Sequence, residues 1–133
     1  MFETISGKQE LLFMLFDALV VDEKNLTKRE YTSRLGYLRK YVMEPYIQSC
    51  QKKPNYHRIF PFKLTQKRLE FSFKLPKVFD QMEKAKHKTD GVIFTSAVAP
   101  YVFGTCDKML KWKPAEENTI DFKLLLNEDK GGI

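Results

Sequence analysis

The sequence is short of the residues from which metal centres, disulfide frameworks and membrane spans are made. Its 133 residues include two cysteines and two histidines. Cys50 and Cys106 lack the short spacing of a metal site, and sequence alone gives no ground for bridging them. Both are read as free thiols in a reducing compartment. Neither His57 nor His87 has a second histidine at ligand spacing, so a metal role is set aside for both. No apolar run approaches the ~20 residues that span a bilayer. Met1 is not followed by a basic stretch and an apolar stretch, so no signal peptide is expected, and cytosol and nucleus stay open. There is no internal repeat and no low-complexity segment beyond the tail Lys130 to Ile133. Acidic side chains are outnumbered, 17 against 23 lysines and arginines. The net charge of +6 and pI near 9.3 suit a polyanionic partner such as a nucleotide or RNA.

Apolar residues are plentiful, at 43%, and 11 Phe and 6 Tyr supply large areas to bury, enough for one domain. The centre of the chain, chemically, is Met109-Leu110-Lys111-Trp112-Lys113-Pro114. On an extended strand Lys111 and Lys113 share one face, and Leu110 and Trp112 point the other way, toward a core. Adjacent ammonium groups repel, so the pair calls for an anion, and phosphate is the obvious one. A solvated strand face is the plain alternative. Pro114 ends the strand, having no N–H for the ladder.

In chain order, Leu11 to Val21 is nearly all apolar and reads as a buried strand, followed by a turn at Asp22 to Asn25. Asp17 inside that strand is either a paired structural carboxylate or a site residue. Thr27 with Glu30 predicts a capping box, opening an amphipathic helix with Tyr31, Leu35, Leu38 and Val42 inward. Arg29, Arg34, Arg39 and Lys40 cover much of the rest, and Pro45 ends or kinks the helix. Gln48 to His57 is a polar loop. Ile59 to Leu64 is an edge strand containing Pro61, and Thr65 to Phe73 stays ambiguous. Pro76 opens a helix to about Lys86 with Val78, Phe79 and Met82 inward. Lys84 to Lys88 is a basic loop. Thr89 to Thr95 is turn then strand, 97–107 a loop, and Thr119 to Leu126 a last strand. The order β-α-β-α-β-β-β predicts an α+β domain whose sheet is mostly antiparallel, with flanking helices.

FMLFDAL at 13–19, TDGVIFT at 89–95, MLKWKP at 109–114 and ENTIDFKL at 117–124 stand in this order. Together they resemble the covalent nucleotidyltransferase superfamily, and within it the messenger-RNA capping enzymes, the GTP–RNA guanylyltransferases. FPFKLTQKRLEFSF at 60–73 and APYVFGTCDKMLKWKP at 99–114 resemble the fungal type. The resemblance implies a two-step reaction. A lysine attacks the α-phosphate of GTP, forming lysyl-GMP and releasing pyrophosphate, and GMP then passes to the 5′-diphosphate end of RNA with help from a divalent metal, Mg2+ or Mn2+. It also implies roles for residues here. Phe16 matches the ring that stacks on guanine, Ile93 the apolar cover on the base's other face, and Lys67 a lysine near guanine O6. Lys111 and Lys113 match the α-phosphate pair. Asp90 matches the acidic position near phosphate and metal, and Asp121 an acid that organises the phosphate site. Phe16 and Ile93 as core, and Asp121 as a surface strand residue, are the alternatives.

The family's nucleophile lies in Lys-x-Asp-Gly-x-Arg, ahead of the Phe-Asp strand. Lys88-Thr89-Asp90-Gly91 fits its first four places, but Ile93 stands where arginine belongs and Lys88 follows that strand. The nucleophile is therefore not assigned to this chain. Residues 1–133 are expected to be an internal fragment, the distal part of a nucleotidyltransferase domain without the upstream lysine motif or the downstream OB-fold, inactive alone. Further implications of the resemblance are a nuclear location, an RNA triphosphatase and the phosphorylated RNA polymerase II tail as partners, and no membrane. A fragment of an ATP-dependent DNA or RNA ligase is the runner-up. A noncatalytic nucleotide- or RNA-binding module is the reading of another class.

Overall fold

The computed structural model describes residues 2–5, 8–53, 62–85 and 87–125. Helices and strands are mixed within it, as an α+β reading expects. Strands β1 (Phe2–Ile5) and β2 (Lys8–Leu15) are antiparallel, with Phe2 opposite Leu11 and Ile5 opposite Lys8. Strand β5 (Lys63–Gln66) lies parallel to β2, with Leu12 opposite Lys63 and Leu15 opposite Gln66, giving the order β1-β2-β5. Strands β3 (Val20–Val21) and β4 (Lys24–Asn25) form a minimal hairpin. Its two-residue loop places Asp22 and Glu23 at φ 47° and 63°, both positive, as a tight hairpin turn of matching twist requires. Strands β6 (Val92–Thr95) and β7 (Met109–Trp112) form a separate antiparallel ribbon.

The long apolar run does not stay a strand to Val21. Strand β2 stops at Leu15, and the segment after it turns inward to place Ala18 and Val21 in the core with Leu26 and Leu38. Leu15, Leu35, Tyr37 and Val42 pack around them, so the expected inner stripe is largely realised. Helix α1 (Tyr31–Tyr37) begins later than the capping box predicts. Thr27 instead gives its N–H and hydroxyl to Asn25 Oδ1, at 2.9 and 2.6 Å, closing a local turn that competes with the cap. Pro45 does not end the helix. A π-helical turn at Leu38–Met43 precedes α2 (Glu44–Lys52), in which Pro45 occupies the first turn. Widening there accommodates a residue that cannot donate to the carbonyl four places back. The polar loop expected from Gln48 is accordingly helical as far as Lys52.

Strand pairing at 63–66 extends past the predicted Leu64, and the rest of that predicted edge strand, Ile59 to Pro61, lies outside the described residues, as do His57, Ser6-Gly7, Lys86, Leu126 and the 130–133 tail. Helix α3 (Leu75–Glu83) starts at the predicted proline and has Val78, Phe79 and Met82 half-buried. Two further expectations fail. Residues 119–125 form no strand among the described residues and are exposed throughout, because no neighbouring strand there offers them a ladder. Leu110 and Trp112 do turn away from the lysines, yet stay 61% and 43% exposed, because the ribbon has only two strands. Trp112 meets Phe79 of α3 edge-on, with ring centroids 5.2 Å apart.

Candidate functional site

The ribbon β6-β7 sets one group of predicted residues. Ile93 is paired with Lys111, so both side chains leave the same face, and Lys113 follows two residues on. Asp90 sits just before β6, and both ammonium groups converge on one of its oxygens. Lys111 Nζ lies 2.8 Å and Lys113 Nζ 3.2 Å from Oδ2. The hydrogen bond from Lys111, then that from Lys113, holds the Asp90 carboxyl down at about 2. Gly91 makes this approach possible. Its φ is +150°, and a Cβ there would lie 2.0 Å from the carbonyl oxygen of Trp112. Any side chain would push the two strands apart at the point where Asp90 reaches across. The anion that the lysine pair calls for is, in this chain, a carboxylate of its own.

A second group forms at the end of β2. Phe16 is 56% exposed, with its ring presented rather than buried. Lys67 follows β5, and its N–H donates to Leu15 O at 2.7 Å, which places its ammonium 5.9 Å from the centre of the Phe16 ring. Phe16 and Lys67 are thus brought together, as are Asp90, Ile93, Lys111 and Lys113. Asp121 is not brought to either group. It lies on the exposed 118–125 segment and makes no ion pair among the described residues. Lys88 is exposed, two residues from Asp90.

Asp17 belongs to the structural alternative. Its carboxylate takes two hydrogen bonds from Arg34, from Nε at 2.8 Å and from Nη2 at 2.9 Å. Arg34 is only 2% exposed, so it does not belong with the solvent-facing arginines of the helix. A signal for it was present. Arg34 lies three residues after Tyr31 and four before Leu38, which is the spacing of the inward stripe. An aspartate drawn inward also needs a cation within reach.

Which residues could hold a metal is answered by the donors. Among the described residues no three acidic, cysteine or histidine side chains gather as an all-protein cage. Both ammonium contacts fall on Asp90 Oδ2, and the side chain is half-exposed. Asp90 could hold a Mg2+ or Mn2+ ion only once those contacts are given up, with phosphate oxygens and water completing the ion's shell. Among the described residues no helix is long and apolar enough to cross a membrane.

Comparison with known proteins bears directly on this arrangement. The family model of the mRNA capping enzyme catalytic domain matches residues 2–115, which include both groups of candidate residues. The chain is 43% identical over 120 residues to the mRNA-capping enzyme subunit alpha of Saccharomyces cerevisiae, covering 90% of this chain and 26% of that protein. It is 40% identical over 124 residues to the subunit alpha of Neurospora crassa, covering 92% and 31%. With the mRNA-capping enzyme of Danio rerio it shares 25% over 139 residues, covering 97% and 22%. The fungal character of the sequence motifs agrees with this gradient, and the matches favour the capping branch over the ligase alternative. The chain spans between about a fifth and a third of the length of these relatives. It belongs to the mRNA capping enzyme catalytic domain family.

Proposed function

We propose that residues 1–133 supply the distal, nucleotide-gripping part of an mRNA guanylyltransferase domain. The observation that carries this reading is the convergence of Lys111 and Lys113 on one carboxylate oxygen, on the ribbon face that also carries Ile93. A site that already holds one anionic oxygen between two ammonium groups is built for another. In the reaction, the α-phosphate of GTP displaces that contact and lies against Lys111 and Lys113. A lysine nitrogen outside the motifs of this chain attacks phosphorus, the P–N bond forms, the bond to the β-phosphate oxygen breaks, and pyrophosphate leaves. A terminal phosphate oxygen of 5′-diphosphate RNA then attacks the same phosphorus, and the lysine is released. The two ammonium groups neutralise charge that builds on the phosphoryl oxygens in each transition state.

Phe16 stacks on guanine, Ile93 covers the other face, and Lys67 approaches O6. Asp90, released from the lysines, would be the residue that holds the metal. A bound Mg2+ or Mn2+ supplies further neutralisation of the phosphates. Asp121 is assigned to the phosphate site by its match to the family's motif alone. GTP and 5′-diphosphate RNA are the substrates in this reading. An RNA triphosphatase and the phosphorylated polymerase II tail are partners of the whole enzyme, which works in the nucleus.

Equilibrium dialysis of the chain against labelled GTP and ATP tests the reading. GTP is expected to bind in preference to ATP, and Lys111→Ala with Lys113→Ala to remove that binding. Preference for ATP, or binding unchanged in the double variant, overturns it. Incubation with labelled GTP and Mn2+ is expected to leave no covalent label on the denatured chain. An acid-labile GMP label on Lys88 would reverse the assignment of the nucleophile.

A further inference from the structure

The two groups of candidate residues are carried by different sheets, and one helix end reaches the backbone beside both. Tyr31 Oη donates to the carbonyl of Phe16 itself, at 2.8 Å. Arg34, one turn on, grips the next residue, Asp17, through two bonds. The same two residues hold the loop that leaves β6. Tyr31 N–H donates to Ala99 O at 3.1 Å, Arg34 Nη1 donates to the same carbonyl at 3.2 Å, and Thr32 N–H donates to Ala97 O at 3.1 Å. Tyr101 N–H returns a bond to Thr27 O at 2.8 Å. The Arg34 guanidinium lies 5.3 Å from the ring centre of Tyr31 and 5.9 Å from that of Tyr101, within cation–π range of both. Its remaining donation goes to Arg29 O at 2.7 Å.

We infer that Tyr31 and Arg34 are positioning residues for the nucleotide site, acting through Phe16 on one side and through the 97–101 loop on the other. This rests on the reading of Phe16 as the guanine-stacking ring. Charge burial alone does not ask for this arrangement. A carboxylate and a guanidinium need only each other, whereas here Arg34 Nη1 donates to Ala99 O in the loop that leaves β6 as well as to Arg29 O, and the neighbouring Tyr31 hydroxyl donates to Phe16 O. Tyr31 Oη donates to the backbone carbonyl of Phe16, the residue whose ring is exposed. Burial, and then the nearby charge of Asp17, push the Tyr31 phenol up, so it stays a donor across the neutral range.

Tyr31→Phe removes one hydrogen bond and keeps the ring that packs on Arg34. Labelled-GTP dialysis on the whole chain is expected to show roughly five-fold weaker binding for Tyr31→Phe, the worth of one hydrogen bond. In a Phe16→Ala background the same change is expected to cost nothing, since the ring it orients is gone. Arg34→Lys, which keeps the charge and loses the fork, is expected to weaken GTP roughly ten-fold or more if it folds. Absence of GTP binding by the native chain, or native binding by Phe16→Ala, overturns the stacking assignment and the inference with it. An equal loss for Tyr31→Phe with and without Phe16 makes Tyr31 merely structural and overturns the inference alone. So does native binding by Tyr31→Phe where Phe16→Ala is impaired.

Discussion

Lys111 and Lys113 give their charges to the same oxygen of Asp90, at 2.8 and 3.2 Å, on a ribbon held shut by Gly91. This makes a measurable statement about pH. Asp90 is depressed from an ordinary 3.8 to about 2, chiefly by the Lys111 hydrogen bond and then by that of Lys113. A depressed carboxylate contributes stability that is present above its ordinary pKa and lost as pH falls through the lowered one. The bridges are therefore expected to persist unchanged through the neutral range and to fade only between about pH 4 and 2. Carbon-detected NMR of the Asp90 carboxyl should give a midpoint near 2. A midpoint near 4 means that the lysines do not hold it in solution.

The lysines themselves are separable from the fold, because both ammonium groups reach the surface of a two-stranded ribbon. In a complete capping enzyme of this family, Lys111→Ala or Lys113→Ala is expected to reduce lysyl-GMP formation by the ~3–4 kcal/mol typical of a lost electrostatic stabiliser. Thermal unfolding should change little. Near-native labelling by both variants, with the fold intact, would remove phosphate from the role of these residues.

Two glycines give opposite expectations under one substitution. Gly91→Ala forces a Cβ onto the Trp112 carbonyl at a φ of +150°, so it is expected to cost ~1–3 kcal/mol or more and to break the Asp90 bridges. Gly36→Ala, inside α1 with nothing within 4 Å of the added carbon, is expected to gain ~0.5–1 kcal/mol. Urea unfolding of both variants tests the pair. A tolerated Gly91→Ala would mean that the strands can separate there freely.

What the sequence disclosed follows from range. The alternation in Leu110-Lys111-Trp112-Lys113 is a local property, and the lysines share a face as alternation requires. Tyr31, Leu35, Leu38 and Val42 repeat at a helical period, and they line the core as expected. The spacing of Arg34 marks it as inward, but its pairing with Asp17, 17 residues away on another element, is not a local property. Thr27 misled because two local hydrogen-bonding patterns competed for it, and the turn with Asn25 won. Residues 119–125 carry the apolar content of a strand, yet pairing is a property of two segments, and no described neighbour offers a ladder. Asp121 shares that fate. Phe16 is singled out only through family likeness, since an apolar residue beside a buried run reads as core by pattern alone.

The Asp17–Arg34 pair gives a stability prediction with an asymmetric answer. Their side chains are 11% and 2% exposed. Asp17→Ala strands a buried guanidinium and is expected to cost ~3–5 kcal/mol. Replacing both residues by apolar ones of similar size should cost much less than that single change, since no charge is left unpaired. Denaturant unfolding of the single and double variants measures the difference. If the double variant is no better than Asp17→Ala, the carbonyl contacts of Arg34 and not its charge dominate.

Phe16 separates a binding role from a packing role, because its ring is 56% exposed and Lys67 stands 5.9 Å from its centre. A ring so open contributes little to the core, so Phe16→Ala is expected to shift unfolding by less than about 1 kcal/mol. Its effect on GTP should be larger, because stacking of a base on an aromatic face is worth ~1–3 kcal/mol. Phe16→Tyr keeps that face and should bind nearly as the native chain does. Phe16→Leu keeps apolar bulk without a planar face and should fall with alanine. Dialysis against labelled GTP, read beside urea unfolding for all three variants, distinguishes the roles. Equal GTP binding by alanine and tyrosine variants, with stability lost in the first alone, would return Phe16 to packing.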